Sequence, residues 1–273
     1  MTSAPALDHG LTRLLPDHDE TPAADLRWRT APAEGADPQM RVLVARPLDR
    51  EPVARIVVAH HRDGIDAFTE SVCRTLADAG FLAAAPDLFS RVTDPGLSPA
   101  EKKETLRDAR IVSDLNRCHA LLEEDADGGA GLPTGVVGHC MGGRIALLAA
   151  VDTAFCDAAV SFYGGRLFQA WGPGDGPGTR ADRTRCPVLV VGGREDTSPS
   201  PDDLRRLARH TEHARHPVRV TVAEGAGHAF MNFLRADRFR PAAAQTGYAA
   251  AVSFLTAHLA RPRATTPSVR QEP

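Results

Sequence analysis

The sequence predicts an α/β protein with a doubly wound, mostly parallel sheet of about seven to eight strands and helices on both faces. Two observations predict it. Short runs of β-branched and aliphatic residues recur along the chain, and several are apolar on both faces, as strands covered by helices must be. Segments of helical pattern separate most of these runs, which is typical of parallel strands joined by crossover helices. The 273 residues suit one large domain of this kind.

Seven short apolar runs are predicted as strands. In chain order they are residues 42–45, 56–59, 81–85, 135–137, 159–162, 188–191 and 218–222. No internal repeat relates them, so the sheet is expected to come from one continuous domain and not from duplicated units.

Three helices have recognisable ends. Residues 67–79 stop at Gly80, a residue suited to the left-handed position that ends many helices. The Ser-Pro-Ala-Glu sequence at 98–101 supplies an N-cap, a first-turn proline and a capping-box glutamate, so we expect a long amphipathic helix from there to about Glu124. A last helix, 242–259, stops shortly before a proline.

Both ends of the chain lack periodicity. Residues 1–38 are predicted to be a loose N-terminal arm, residues 39–260 the folded domain, and residues 261–273 a disordered C-terminal tail. Inside the domain, residues 171–184 hold four glycines and two prolines. We expect that segment to form no regular element and to act as a lid or a rim loop.

Composition excludes several classes of function. The formal net charge is −3, and no block of like charges marks a nucleic-acid or membrane footprint. No window reaches the ~18 consecutive apolar residues of a membrane span, and the N-terminus lacks a secretory layout. A cytoplasmic protein, monomer or homodimer, is expected. Its five cysteines show no C-x-x-C spacing, so we expect free thiols.

The strongest chemical motif is Gly-His-Cys-Met-Gly-Gly at 138–143, which follows an apolar strand and precedes a helical run at 144–150. This is the pattern of a nucleophile elbow with cysteine in place of the commoner serine. The start of the helix favours a thiolate at Cys140, and the Met141 N–H is placed to hold an oxyanion. The alternative is a plain strand-turn-helix with a buried cysteine.

Two later loops offer partners for that cysteine. Asp196 follows the strand at 188–191, and His228 lies in a glycine-rich loop after the strand at 218–222. The order nucleophile, acid, base is that of an α/β-hydrolase, and the three residue types suffice for nucleophilic acyl transfer. Glu195 is a rival for the acid, and both side chains could instead be ordinary turn and loop residues.

The chain resembles the dienelactone hydrolase family of α/β-hydrolases over most of the predicted domain, from about residue 42 to 259. The motifs that carry the resemblance are the cysteine elbow at 138–143, Pro-Asp-Leu-Phe at 86–89 followed by Arg91, Tyr-Gly-Gly at 163–165, Gly-Arg-Glu-Asp at 193–196 and Gly-Ala-Gly-His-Ala-Phe at 225–230.

The resemblance implies a Cys140, His228 and Asp196 triad acting on a small-molecule lactone or related ester, with no metal or organic cofactor. By position, the Arg62 N–H supplies the second oxyanion donor beside that of Met141. Arg91 matches the arginine that holds the substrate carboxylate in the family, although it could be an exposed loop residue.

The sequence also departs from the family pattern. His61, beside His60, stands where a glutamate engages the resting cysteine, so either an imidazole holds the thiolate or His228 alone activates it. Asn232 replaces a second arginine, with Arg235 the nearest substitute. The loss of this arginine argues against assuming the family's small dianionic lactone as the substrate.

Other residues near these motifs carry weaker expectations. Phe230, Phe68 and Trp171 are candidates to line the pocket, or else belong to the core. A zinc site made from His60, His61, His139 and Cys140 is not expected, because these residues lack a recognised ligand spacing.

The sequence thus predicts a hydrolase that cleaves a lactone or an activated enol or aryl ester through a thioester acyl-enzyme. Two alternatives stay open. The same site could catalyse lactone formation, isomerisation or acyl transfer, or the chain could be a ligand-binding protein on a hydrolase scaffold.

Overall fold

The computed structural model describes residues 24–124 and 130–260. An eight-stranded sheet runs through this part of the chain in the order β1-β2-β4-β3-β5-β6-β7-β8. The strands are β1 (Ala24–Ala31), β2 (Met40–Pro47), β3 (Ala54–Ala59), β4 (Phe81–Pro86), β5 (Thr134–His139), β6 (Cys156–Phe162), β7 (Val188–Gly193) and β8 (Val218–Ala223). The pairs β1/β2 and β2/β4 are antiparallel, and the remaining pairs are parallel. The predicted fold class is confirmed.

Helices cover both faces of this sheet, as the apolar strands require. They are α1 (Ala67–Asp78), α2 (Pro99–Thr105), α3 (Asp108–Glu123), α4 (Met141–Asp152), α5 (Pro201–His210) and α6 (Pro241–Leu259). One hydrophobic core lies between the sheet and α3, α4 and α5, and a second lies between the sheet and α1 and α6. None of the helices in the described ranges combines the length and apolar character needed to cross a membrane.

Helix ends follow the sequence signals closely. Asp66 caps α1 by accepting from the Thr69 N–H at 3.1 Å, and the helix ends before Gly80, whose φ is +93°. Ser98 and Glu101 form the predicted capping box of α2. A second capping box, which the sequence analysis did not single out, starts α5 at Ser200.

The prediction of a loose N-terminal arm is wrong for residues 24–31. Residues 24–31 form β1, which pairs with β2 along its whole length at the edge of the sheet. An edge strand exposes much of its surface, so β1 lacks the apolar run that marked the other strands: Trp28, for instance, is 44% exposed. Residues 1–23 and the predicted tail at 261–273 lie outside the described residues.

Two other predicted boundaries change. The expected single helix from 98 to about 124 is two helices, because Leu106 and Arg107 are extended. This break sends Leu106 into the core and lets α3 begin at Asp108, whose carboxylate pairs with Arg144. The segment 171–184, expected to be irregular, contains a 3₁₀ helix at Pro177–Arg183.

Candidate active site

The elbow forms at the C-terminal edge of the sheet, where β5 turns into α4. Cys140 stands at the turn with φ 55° and ψ −117°, a strained conformation for a residue with a side chain. The flanking glycines are needed for close packing. A Cβ on Gly138 would lie 1.9 Å from the Gly142 carbonyl oxygen, and a Cβ on Gly142 would lie 1.9 Å from the Ala59 carbonyl oxygen. The backbone therefore presents the cysteine at the mouth of the turn.

The structure brings Cys140, His228 and Asp196 together, although they come from three separate loops. The His228 Nε2 atom lies 3.1 Å from the Cys140 Sγ atom, and its Nδ1 atom lies 2.9 Å from Asp196 Oδ2. Asp196 is buried, and its other oxygen accepts a hydrogen bond from the Ser198 N–H at 2.9 Å. The carboxylate is thus fixed from two sides and orients the imidazole toward the sulfur. Glu195, the rival acid, is exposed.

Electrostatics favour an ion pair between sulfur and imidazole. Burial raises the pKa of the Cys140 thiol, but its hydrogen bond to His228, the charge of that imidazole and nearby backbone N–H groups together bring the pKa below its ordinary value. Burial lowers the pKa of His228, yet hydrogen bonds and charges from Asp196 and Cys140 outweigh it and raise the pKa to about 10. The favoured resting state is a thiolate beside an imidazolium.

Two backbone N–H groups point at the same sulfur. The amides of Met141 and Arg62 both donate to Cys140 and contribute to lowering its pKa. Met141 is the first residue of α4, whose N-terminus carries partial positive charge, and Arg62 lies in the loop after β3. A pair of donors in this position can hold the oxygen of a carbonyl that the thiolate attacks.

His60 and His61, in the loop after β3, contact groups other than the Cys140 sulfur. His60 is buried, with its Nδ1 2.7 Å from the His61 carbonyl oxygen and its Nε2 accepting from the Leu88 N–H at 3.1 Å. Burial lowers the pKa of His60. His61 lies with its Nε2 atom 3.0 Å from Asp66 Oδ2. Of the two predicted ways to activate the cysteine, this geometry favours His228 alone.

Arg91 is not brought to the cleft. Its guanidinium is held between Asp37, 2.6 Å away, and Asp114, to which it also donates a hydrogen bond. Asn232 does line the cleft and accepts from the Leu234 N–H at 2.9 Å. Phe230 is fully buried and packs edge-on against Tyr163, so it supports the cleft wall from behind.

The cleft has two lobes that meet at Cys140 and His228. The larger lobe has a volume of about 300 Å³ and extends toward Trp171 and Ser198. The smaller, of about 160 Å³, extends toward Phe68 and Asn232. Besides His228, five cationic side chains line the two lobes, namely Arg62, Lys103, Arg166, Arg235 and Arg238.

The sequence analysis did not identify three of these cationic side chains, nor a buried arginine behind the larger lobe. Lys103, Arg166 and Arg238 come from α2 and from two loops, and no motif relates them to the elbow. Arg144, four residues after the cysteine, is fully buried behind the larger lobe. A charged residue in the otherwise apolar helix at 144–150 was the available signal. Within the described residues no group of three or more His, Cys, Asp or Glu side chains is arranged to hold a metal.

The fold is that of an α/β-hydrolase, and Cys140 stands at the turn between β5 and α4. Residues 40–259 match the dienelactone hydrolase family, and the chain belongs to that family of hydrolases.

Individual relatives agree with this assignment. A Bradyrhizobium protein named "Probable 2-oxo-3-(5-oxofuran-2-ylidene)propanoate lactonase" is 31% identical over 222 residues, spanning 79% of this chain and 88% of the relative. A Salmonella typhimurium protein assigned as a carboxymethylenebutenolidase is 29% identical over 209 residues, spanning 73% of this chain and 75% of its own. The crystal structure of a Klebsiella pneumoniae protein assigned as a dienelactone hydrolase superimposes with a TM-score of 0.77 at 26% identity, covering 86% of this chain and 99% of that one.

Proposed function

We propose that this chain hydrolyses a lactone or an activated enol or aryl ester through a thioester formed on Cys140. The observation that carries the proposal is the contact of 3.1 Å between the Cys140 Sγ and His228 Nε2 atoms, with two backbone N–H groups at the same sulfur. The name of the Bradyrhizobium relative, a lactonase, supports the choice of substrate class.

Acylation needs only the groups already placed at the elbow. The Cys140 thiolate attacks the carbonyl carbon, and the oxyanion is held by the N–H groups of Met141 and Arg62. Collapse of the adduct breaks the carbon–oxygen bond of the ester, and the His228 imidazolium donates its proton to the departing oxygen. Asp196 accepts from the Nδ1–H group and so orients the ring with Nε2 toward the departing oxygen.

Deacylation returns the enzyme to its starting state. His228, now neutral, takes a proton from a water molecule, whose oxygen attacks the thioester carbonyl. The thiolate leaves beside the His228 imidazolium, so the ion pair re-forms. The carboxylic acid product loses its remaining proton to solvent and is released as its anion. The imidazole needs no rearrangement between the two steps, because one nitrogen faces the sulfur and the other faces Asp196.

The nucleophile restricts the range of substrates. A thiolate is a better leaving group than an alkoxide, so the tetrahedral adduct of a plain alkyl ester expels sulfur and reverts. An enolate or aryl oxide competes successfully as the leaving group. We therefore propose activated esters and conjugated lactones as substrates and expect alkyl esters to be poor ones.

An acid group on the substrate would meet cations other than Arg91. That residue already neutralises Asp37 and Asp114, whereas Arg62, Arg166 and Arg238 line the cleft with about half of each side chain exposed. We also propose a reducing, cytoplasmic setting, because all five cysteines are free and the catalytic thiol must stay reduced.

A substrate panel in isotopic water tests the proposal. Lactones, enol esters, aryl esters and alkyl esters are assayed in H₂¹⁸O with the wild type, with Cys140→Ala and with Cys73→Ala, a matched change at a buried thiol outside the cleft. We expect ¹⁸O in the carboxylate product, turnover by Cys73→Ala and none by Cys140→Ala. Full activity of Cys140→Ala would contradict the proposed nucleophile. Products without solvent oxygen would show isomerisation or acyl transfer instead of hydrolysis.

A further inference from the structure

Few apolar side chains line the larger lobe of the cleft beside the nucleophile. They are Met141 and Trp171, and most of the other residues that line the lobe have polar or charged side chains. Trp171 is 8% exposed, and it lies where the cleft borders the segment 171–184. An apolar part of a substrate held at Cys140 in this lobe has the indole as its largest partner.

The backbone N–H group and the carbonyl oxygen of Trp171 are both hydrogen-bonded to Asp108. Its N–H donates to Asp108 Oδ2 at 3.1 Å, and its carbonyl oxygen accepts from the Asp108 N–H at 2.8 Å. Asp108 is the first residue of α3, so the start of that helix holds Trp171, the first residue of the segment 171–184, which we call the rim segment. A loop residue attached in this way keeps its position better than one held by packing alone.

The indole ring is fixed from behind by Arg144. The guanidinium carbon lies 4.0 Å from the centre of the Trp171 ring, within the range of a cation–π contact. The same guanidinium donates to both oxygens of Asp108, at 2.7 and 2.9 Å, and to the Gln169 carbonyl oxygen at 2.6 Å. Its planar fork meets the carboxylate in the bidentate geometry that lysine cannot reproduce.

Arg144 also belongs to the elbow. It lies on the first turn of α4, and its backbone N–H donates to the Cys140 carbonyl oxygen at 3.3 Å. One residue therefore connects the turn that presents the nucleophile with the wall that faces it. Burying a guanidinium is costly, and well-packed apolar residues often stabilise as well or better, so stability alone does not account for a charge at this place.

We propose that Trp171 is the surface against which the planar, unsaturated group attached to the reacting carbonyl packs, and that Arg144, with Asp108, is the positioning residue that fixes the indole relative to Cys140. The inference deepens the proposed function and rests on it. The substrate class is a conjugated or aromatic acyl group, because flat π systems gain most from contact with an indole.

Kinetic selectivity gives the first test. Crotonyl and butyryl esters of 4-nitrophenol differ in the planarity of acyl groups of equal length, so the ratio of their kcat/KM values measures recognition of the flat group. We expect Trp171→Ala to lower this ratio by about tenfold, Trp171→Phe to retain most of it, and Arg144→Lys and Arg144→Met both to lower it. An unchanged ratio in Trp171→Ala, with hydrolysis still dependent on Cys140, would overturn the inference and leave the proposed function intact.

Matched controls exist in the same part of the chain. Arg206 lies with its guanidinium carbon 3.8 Å from the Phe168 ring centre, and Arg180 forms a bidentate pair with Asp152 from the 3₁₀ helix of the rim segment. Neither arginine lines the described cleft. Arg206→Gln and Arg180→Gln should leave the crotonyl-to-butyryl ratio unchanged. If either control variant lowered the ratio as much as Arg144→Met does, the fall would be a general effect of a less rigid rim segment. That result would contradict the inference.

A binding measurement does not depend on turnover or on the folding of the Arg144 variants. The chain has two tryptophans, so Trp28→Phe with Cys140→Ala leaves Trp171 as the only one. We expect cinnamate to change the Trp171 emission saturably and 3-cyclohexylpropanoate, of equal charge but without a flat ring system, to bind at least about tenfold more weakly. Equal affinity for both anions, or no saturable change with either, would overturn the inference. Inactivity of the wild type toward every ester would instead defeat the proposed function.

Discussion

Two imidazoles flank the elbow cysteine, and their surroundings differ. His139 precedes Cys140 in the chain and lies behind the strand end, stacked on Phe162 with ring centres 4.7 Å apart and within 3.3 Å of the Tyr248 hydroxyl. His228 faces Cys140 across the cleft and contacts Asp196. Burial lowers the pKa of His139 to about 3, whereas the partners of His228 raise its pKa to about 10.

The difference shows that the partner of a buried imidazole decides its charge. Both rings lose water, which alone disfavours the charged form. Only His228 has a carboxylate on one nitrogen and a sulfur on the other, so only His228 is held as a cation. His139 stays neutral and acts as a packing residue under the elbow.

The largest expected effect is the loss of kcat when the imidazole of His228 or its partner Asp196 is replaced. His228→Ala and Asp196→Asn should each lower kcat by about 10⁴-fold, because the thiolate loses its counter-ion or the ring its orientation. His139→Phe keeps the aromatic packing and should lower kcat by less than tenfold, about the size of a modest repacking effect. Steady-state kinetics with one aryl ester measures all three. Comparable losses in His139→Phe and His228→Ala would mean that the two rings do not differ in role.

The next largest effect is the difference in alkylation rate between the Cys140 thiol and the buried thiols. Burial raises the pKa of Cys73 to about 12 and also raises that of Cys118, whereas the pKa of Cys140 is lowered. Iodoacetamide at neutral pH should therefore alkylate Cys140 at least about 100-fold faster than either buried thiol, since only the thiolate reacts. Peptide mass spectrometry of timed samples measures the rates.

A matched variant sharpens the labelling experiment. His228→Ala removes the counter-ion and should slow alkylation of Cys140 toward the rate of an ordinary exposed thiol, whereas His139→Phe should not. Equal labelling of Cys140 in the wild type and in His228→Ala would show that the backbone N–H groups alone sustain the thiolate.

Two arginines should differ in their contribution to stability, because one is held between carboxylates and the other is exposed in the cleft. Arg91 lies between Asp37 and Asp114, while Arg238 is 55% exposed at the cleft. Arg91→Met leaves the buried Asp114 with only its longer contact to Arg117, at 3.4 Å, and should lower the free energy of unfolding by about 2 kcal/mol. Arg238→Met should change it by less than about 0.5 kcal/mol. Urea unfolding measures both. A stable Arg91→Met protein with a raised KM for acidic substrates alone would instead favour the carboxylate role that the resemblance implied.

The parts of the fold that follow local rules could be predicted from the sequence. Strands buried on both faces leave an apolar run of residues, and α1 ends where its capping signals indicate. The elbow could be predicted for the same reason, because its glycines are required by contacts within a few residues, such as that of Gly138 with Gly142. Asp196 and His228 could be proposed because both follow strand ends on the same edge of a parallel sheet.

The remaining features depend on contacts between distant segments, which leave no local pattern. The partner of Arg91 is Asp37, which lies 54 residues earlier in the chain. Asp37 belongs to the N-terminal segment that was expected to be loose. The Arg144 side chain meets Asp108, 36 residues away, at a helix break that propensity alone does not mark. Edge strand β1 alternates too weakly to be recognised before its partner β2 is known.

The smallest effect is the pH dependence of acylation, which follows the ion pair of Cys140 and His228. For an ester whose leaving oxygen must be protonated, reaction of the free enzyme requires the thiolate and the imidazolium together. Its kcat/KM should rise as the lowered pKa of Cys140 is passed and stay level through neutral pH. It should fall by about tenfold per pH unit once His228 deprotonates, near pH 10.

The leaving group gives this profile its test. The fall above pH 10 should be steep for an ester whose leaving oxygen needs the His228 proton and shallow for a 4-nitrophenyl ester, since a stable aryl oxide departs unprotonated. His139 stays neutral throughout this range because its pKa is about 3, so His139→Phe should leave the profile unchanged. A profile that bends near pH 6.5, the ordinary pKa of histidine, in the wild type would mean that Asp196 and Cys140 do not hold His228 as a cation.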